Sequence, residues 1–313
     1  MQALVRAPVA EPLWARVEVA AVGLSDSALR LLDAGADGLT PKQVHDLRVI
    51  CKRLRALWRM LEPGFGADVV RPPERALREL ARSLAGDREA AVRIKTLKRL
   101  ARKADSPRLK ALAGGYAAAL AAAIDTPDAL PLPDPCMQAV FLEQARALRS
   151  LPQTPLLATL ATGITASMRK ARKSGRRALA SAEVEQWHRA RRWAKYEHYQ
   201  LEFCLDLRGR WRRRHKRLER LGALLGRYND LEDLARHLDR LADGAAAASE
   251  EEGAARAGLE QQQGLDRLQR LAARVQRRLG KRIEKRFERL YSKSPIRYER
   301  KLTRRLLESA SVR

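Results

Sequence analysis

The sequence predicts an all-α protein assembled as a duplicated helical bundle, and three observations carry that expectation. Nearly every periodic segment repeats its apolar residues at helical spacing. Ala, Leu, Arg and Glu dominate these segments and β-branched runs are rare, which favours helix over strand. One stretch of helix is written twice, as Val44 to Arg55 and as Trp187 to His198. In each copy His, Arg and Lys stand at relative positions 0, +3 and +7.

Along the chain, helices are expected near 11–33, 41–62, 73–84, 87–104, 106–124, 136–149, 155–177, 181–207, 210–224, 227–242, 255–290 and 296–309. Thr40-Pro41 supplies a capping residue followed by a first-turn proline, and Pro63-Gly64 is read as the end of the same helix. No strand-turn-strand signature stands out, and the short connections suit antiparallel helical neighbours. Two breaks organise the chain: the proline-rich tract from Asp125 to Pro135, and Leu151-Pro152-Gln153-Thr154-Pro155. They separate an N-terminal half, residues 1–150, from a C-terminal half, residues 151–313. The Ala-, Glu- and Gly-rich tract from Ala242 to Gly258 reads as a loop or as the weak start of a long helix.

The two halves are internally related. His45 and His188 lie 143 residues apart, and a second matching pair follows them, Leu84 to Val92 and Leu225 to Asp233. These pieces begin 39 and 37 residues after their respective histidines. Two matched pieces at near-equal spacing point to duplication.

Charge narrows the function. The chain carries 63 basic and 37 acidic residues, a formal net charge of +26, and 49 of the basic residues are arginine. The arginine fork fits phosphate oxygens in pairs, so a surface of this kind is expected to meet a polyanion. The basic residues also form rails, rows of like charge along one helix face. His45, Arg48, Lys52, Arg55 and Arg59 fall within about 80° of arc at 100° per residue. Val44, Leu47, Cys51, Leu54, Trp58 and Leu61 form the adjoining apolar face. His188, Arg191, Lys195 and His198 repeat the rail, although Glu197 and Glu202 stand where Leu54 and Arg59 stand in the first copy. Further rails are Arg169, Arg172, Lys173 and Arg176, and Arg88, Lys95, Lys98, Arg99 and Arg102. Those at Arg210, Arg213, Arg214 and Arg217, and from Arg278 to Arg289, are read as solvated faces. Histidine at the head of a rail charges near neutral pH, and a bound phosphate chain favours the charged form.

Several classes are excluded by expectation. Cys51, Cys136 and Cys204 show no metal-ligand spacing; Cys51 and Cys204 read as small core residues of a reducing compartment. His215 and His237 look incidental. Residues 1–11 lack the features of a secretory leader, and the longest apolar tract, Ala117 to Ile124, is far too short to cross a bilayer. A soluble cytoplasmic protein without a membrane partner is expected. There is no HExxH, Walker loop, nucleophile elbow or carboxylate cluster with metal spacing, so the reading is a binding protein, not an enzyme, with no cofactor and no metal.

At the paired motifs the chain resembles a known family. His45-x-x-Arg48 with Lys52-Arg53-x-Arg55, and His188-x-x-Arg191 with Lys195, resemble the two signature helices of CHAD domains. Met168 to Leu179 is similar to the basic helix before the second signature, and Leu225-Gly226-Arg227-Tyr228-Asn229-Asp230-Leu231 to the family's Leu-Gly-x-x-x-Asp-Leu piece. The likeness covers about residues 11 to 309. It implies two antiparallel helical bundles related by a pseudo-two-fold axis, with a basic channel between them. It also implies binding of inorganic polyphosphate and association with polyphosphate granules. On this chain the implied ligands are His45, Arg48, Lys52 and Arg55 with Arg169, Lys173, Arg176, His188, Arg191 and Lys195. Arg172, His198, Lys98 and Arg102 join them from the rails. The competing partner is nucleic acid, bound without sequence reading. It is disfavoured because aromatics make up only 5% of residues and single-strand binders need stacking platforms.

Overall fold

The computed structural model describes residues 11–84, 88–123, 132–152, 154–181, 183–205, 208–248 and 255–310. They form ten helices: α1 (Glu11–Asp33), α2 (Pro41–Ser83), α3 (Arg88–Ala101), α4 (Pro107–Ala122), α5 (Pro135–Arg149), α6 (Leu157–Ser181), α7 (Val184–Cys204), α8 (Gly209–Ala248), α9 (Ala255–Tyr291) and α10 (Pro295–Ala310). No β-strand occurs among the described residues, so the all-α expectation holds. Residues 85–87, 124–131 and 249–254 lie outside them, and with these most of the proline-rich tract and part of the Ala242–Gly258 tract.

Four helices begin at a polar cap followed by proline, α10 among them, where Ser294 accepts from the Arg297 amide ahead of Pro295. Thr40 and Gln43 form a reciprocal capping box ahead of Pro41. Ser106 accepts from the Leu109 amide ahead of Pro107, and Asp134 accepts from the Cys136 amide ahead of Pro135. α2 departs from a straight rod at Gly66 (φ 79°, ψ 170°), between Pro63 and Pro72. Arg55 meets Glu74, 19 residues on, at 2.6 Å. A continuous helix would separate them by about 28 Å, so the chain doubles back near Gly66. The two helices expected at 41–62 and 73–84 are therefore two arms of α2. By contrast, 210–224 and 227–242 are one uninterrupted α8, because Leu225-Gly226 keeps helical geometry.

The chain folds as two compact units. The first comprises Met1–Ala85, Asp128–Gly222 and Phe287–Arg313; the second comprises Gly86–Pro127 and Ala223–Arg286. Each draws segments from both sides of residue 150.

In the first unit α2 packs on α1, α5, α6 and α7 through Leu54, Leu57, Trp58, Met60 and Leu61, all buried. Trp58 satisfies its indole by donating to Gln144 Oε1 at 2.6 Å. α6 approaches α2 at Gly163, where a Cβ would fall 1.9 Å from the Met60 carbonyl oxygen. Backbone cannot yield as a side chain can. Gly163→Ala is expected to cost about 3 kcal/mol by overpacking and to lower Tm by roughly 6–10 °C in thermal unfolding; an unchanged Tm would refute this contact. In the second unit α3 packs on α4, with Leu97, Leu100 and Ala113 buried, and Arg93 Nε donates to Asp233 at 3.0 Å. Among the described residues no helix is long and apolar enough to cross a membrane.

Candidate anion-binding site

The first unit brings the two copies of the repeated helix against one another. Gln200 Nε2 of α7 donates to the Ala56 carbonyl of α2 at 2.8 Å, and one turn on Cys204 Sγ lies 3.4 Å from Met60 Sδ. Both contacts join residues 144 apart. α2 and α7 therefore run in the same direction through their crossing, at an offset one residue from that of the repeat itself. Ala56, Tyr196 and Tyr199 form an apolar cluster at the junction, flanked by Trp193. His45, Arg48 and Lys52 on α2, and His188, Arg191 and Lys195 on α7, precede the crossing on the same side of it.

These six residues differ in exposure. His45 is exposed, whereas Arg48, Lys52, His188, Arg191 and Lys195 are half-buried. Arg48 Nη1 donates to the Leu84 carbonyl at 2.7 Å. Lys195 lays its stem against Gly222 of α8 and its ammonium 5.4 Å from the Tyr199 ring. Burial, then the charge of Arg191, holds its pKa below the usual lysine value. Beside them Arg53 reaches Glu202 at 3.3 Å, while its Nε is buried without an acceptor among the described residues. On α6, Lys173 and Arg176 are exposed, Arg169 pairs with Glu299 at 2.9 Å, and Arg172 is half-buried with its Nε lacking an acceptor among the described residues.

Three rail residues of α2 and α7 are placed differently from the rest. Arg55 turns to the buried carboxylate of Glu74, which also holds Arg59 at 2.9 Å. The first rail contains no acid of its own, but Glu62 pairs with Arg59 at 3.2 Å and the reversal at Gly66 returns Glu74 to Arg55 and Arg59. His198 is buried, stacked on His215 with ring centroids 4.0 Å apart and 16° between planes. Burial, then the His215 ring, pushes His198 down to about 4, so it carries no positive charge at neutral pH. Lys98 and Arg102 are exposed on α3 of the second unit. There Arg102 lines a cavity of about 380 Å³ with Arg99, Lys103, Arg227 and Arg282.

The reading of Arg210, Arg213, Arg214 and Arg217 as a solvated face fits the first two and the last, which are exposed, and needs correction at Arg214. Arg214 is half-buried, its Nη2 closed to solvent, and meets the fully buried Glu197 through Nε at 2.6 Å and Nη2 at 2.5 Å. The hydroxyls of Tyr291 and Tyr298 donate to the same carboxylate at 3.2 and 3.0 Å, and Arg214 Nη1 donates to the Leu290 carbonyl. Both tyrosines are raised well above their usual value, by burial and then by Glu197. Its neighbours Arg210, Arg213 and Arg217 line a cavity of about 300 Å³ with Arg289, Lys293 and Lys301. His215, read as incidental, donates from Nε2 to the Glu202 carboxylate at 2.8 Å. The signal for both clusters lay in Glu197 and Glu202, the acids that break the repeat.

The family model described as CHAD domain matches residues 25–239. The crystal structure of the CHAD domain from the plant Ricinus communis is similar at 22% identity, covering 85% of this chain and 88% of that one, with a TM-score of 0.49. No curated protein matches the chain.

Proposed function

We propose, on the premise that the chain belongs to the CHAD domain family, that it binds inorganic polyphosphate along the rails of α2 and α7 with help from α6. The family is associated with polyphosphate binding. The observation that carries the reading is the same-direction crossing of α2 and α7, which puts both histidine-led rails on one side of it. A polyphosphate chain presents one anionic unit after another and no base to read. It suits a row of arginine and lysine that gains by releasing counterions. Exposed Lys173 and Arg176 extend the basic surface. Tethering of the protein to polyphosphate granules follows from this affinity. The residues act by binding; no role in bond cleavage is assigned to them.

The test is a titration with polyphosphate of defined length at several salt concentrations. Affinity is expected to fall steeply and linearly in a log–log plot. Long-chain polyphosphate is expected to displace RNA, and RNA to fail against polyphosphate at matched phosphate concentration. Displacement in the opposite order would replace this reading with a nucleic-acid binder.

A further inference from the structure

The repeat permits a comparison of equivalent positions. In the first copy Arg55 and Arg59 share the carboxylate of Glu74, a tie made of permanent charges. At the equivalent places in the second copy stand His198 and Glu202, and the third member is His215 from α8. The tie between helices is kept, but its chemistry is changed. Guanidinium groups cannot ligate a cation, whereas two imidazoles and a carboxylate can.

The geometry points to a binding site for one divalent transition-metal cation of the zinc or cobalt type, held by His198 and Glu202 of α7 and His215 of α8. Glu202 Oε1 lies 3.3 Å from His198 Nε2 and 2.8 Å from His215 Nε2, and one candidate ligand atom from each residue falls within 4.8 Å of the other two. Bonds of about 2.0–2.2 Å to nitrogen and carboxylate oxygen are reached from there by small side-chain rotations. His198 and Glu202 are spaced i, i+4, so they share one helix face, and the near-parallel imidazoles approach the same oxygen. Arg53 holds the other carboxylate oxygen at 3.3 Å, fixing the orientation of Glu202. Arg53 and Lys195 also repel free cations. The site therefore selects ions that gain from nitrogen ligation over magnesium and calcium, whose hard oxygen preference leaves the imidazoles unused.

The experiment titrates untagged protein with cobalt(II) and follows the visible ligand-field absorption, with magnesium in parallel, and then measures Tm with zinc. Expected are one cobalt per chain, no magnesium competition, and a Tm rise of about 5 °C at a hundredfold excess over Kd. His198→Arg restores the residue type of the first copy opposite Glu202 and keeps a tie between the helices. His215→Ala alters a side chain that is only half-buried. Both variants are expected to keep their fold by circular dichroism and to lose the band and the zinc-induced shift. Absence of binding by the parent protein, or unchanged stoichiometry and spectrum in both variants, overturns the site. Polyphosphate binding by the metal-free protein is unaffected by either result, so this inference and the proposed function fail separately.

Discussion

Lys52→Gln combined with Lys195→Gln is expected to weaken polyphosphate binding by about 100-fold near 0.1 M salt, one tenfold step for each charge-assisted contact. The salt dependence should become shallower by roughly one to two counterions. The two lysines sit on different halves of the sequence but on the same side of the α2–α7 crossing. On the proposed reading a single anionic chain feels both. Neutralisation also relieves repulsion among neighbouring cations, of which Arg191 already depresses Lys195. Thermal stability should therefore hold or rise while affinity falls. Isothermal titration with defined-length polyphosphate, paired with thermal unfolding, separates the two quantities. Equal affinity in the double variant and the parent would remove both lysines from the site.

The second large effect concerns Glu197. Its carboxylate accepts from Arg214, Tyr291 and Tyr298 in a place closed to solvent. Glu197→Ala leaves the Arg214 guanidinium buried and uncompensated, and a loss of about 3–5 kcal/mol is expected. Replacing both partners by apolar residues, Glu197→Leu with Arg214→Met, should recover most of that loss, because no charge is then stranded. Chemical denaturation of the single and double variants measures this. A single variant as stable as the parent, or a double variant no better than the single, would show that the network contributes little. The network ties α7 to the first turns of α8, the end of α9 and α10. Its loss should therefore also loosen the helix that carries Lys195.

Local sequence carried much of the fold. Helical spacing and the Thr40-Pro41 cap are signals confined to a few residues, and they sufficed for most helix positions. The break at Pro63-Gly64 was legible for the same reason, although helical geometry resumes on both sides of Gly66. What escaped was non-local. Arg55 looked like a rail residue because Glu74 comes to it only through the reversal of the chain. Arg214 looked solvated because its partners lie 17 residues before it and, for the two tyrosines around Glu197, far along the chain on α9 and α10. The α8 register around Leu225-Gly226 suggested a break, since glycine weakens an isolated helix, but packing in the folded chain outweighs that local preference. The acids that interrupt the second copy of the repeat were visible in the sequence. Their meaning needed His215 and Arg214, which no spacing rule connects to them.

Lysine footprinting by mass spectrometry separates a site on the paired rails from diffuse attraction over the whole basic surface. The protein is acetylated with and without long-chain polyphosphate, and the reactivity of each of its 14 lysines is compared. Lys52, Lys195 and Lys173 are expected to be protected together, while Lys42, Lys110 and Lys216 keep their reactivity. Even protection of all exposed lysines, or protection that spares Lys52 and Lys195, would contradict a site built from the paired rails.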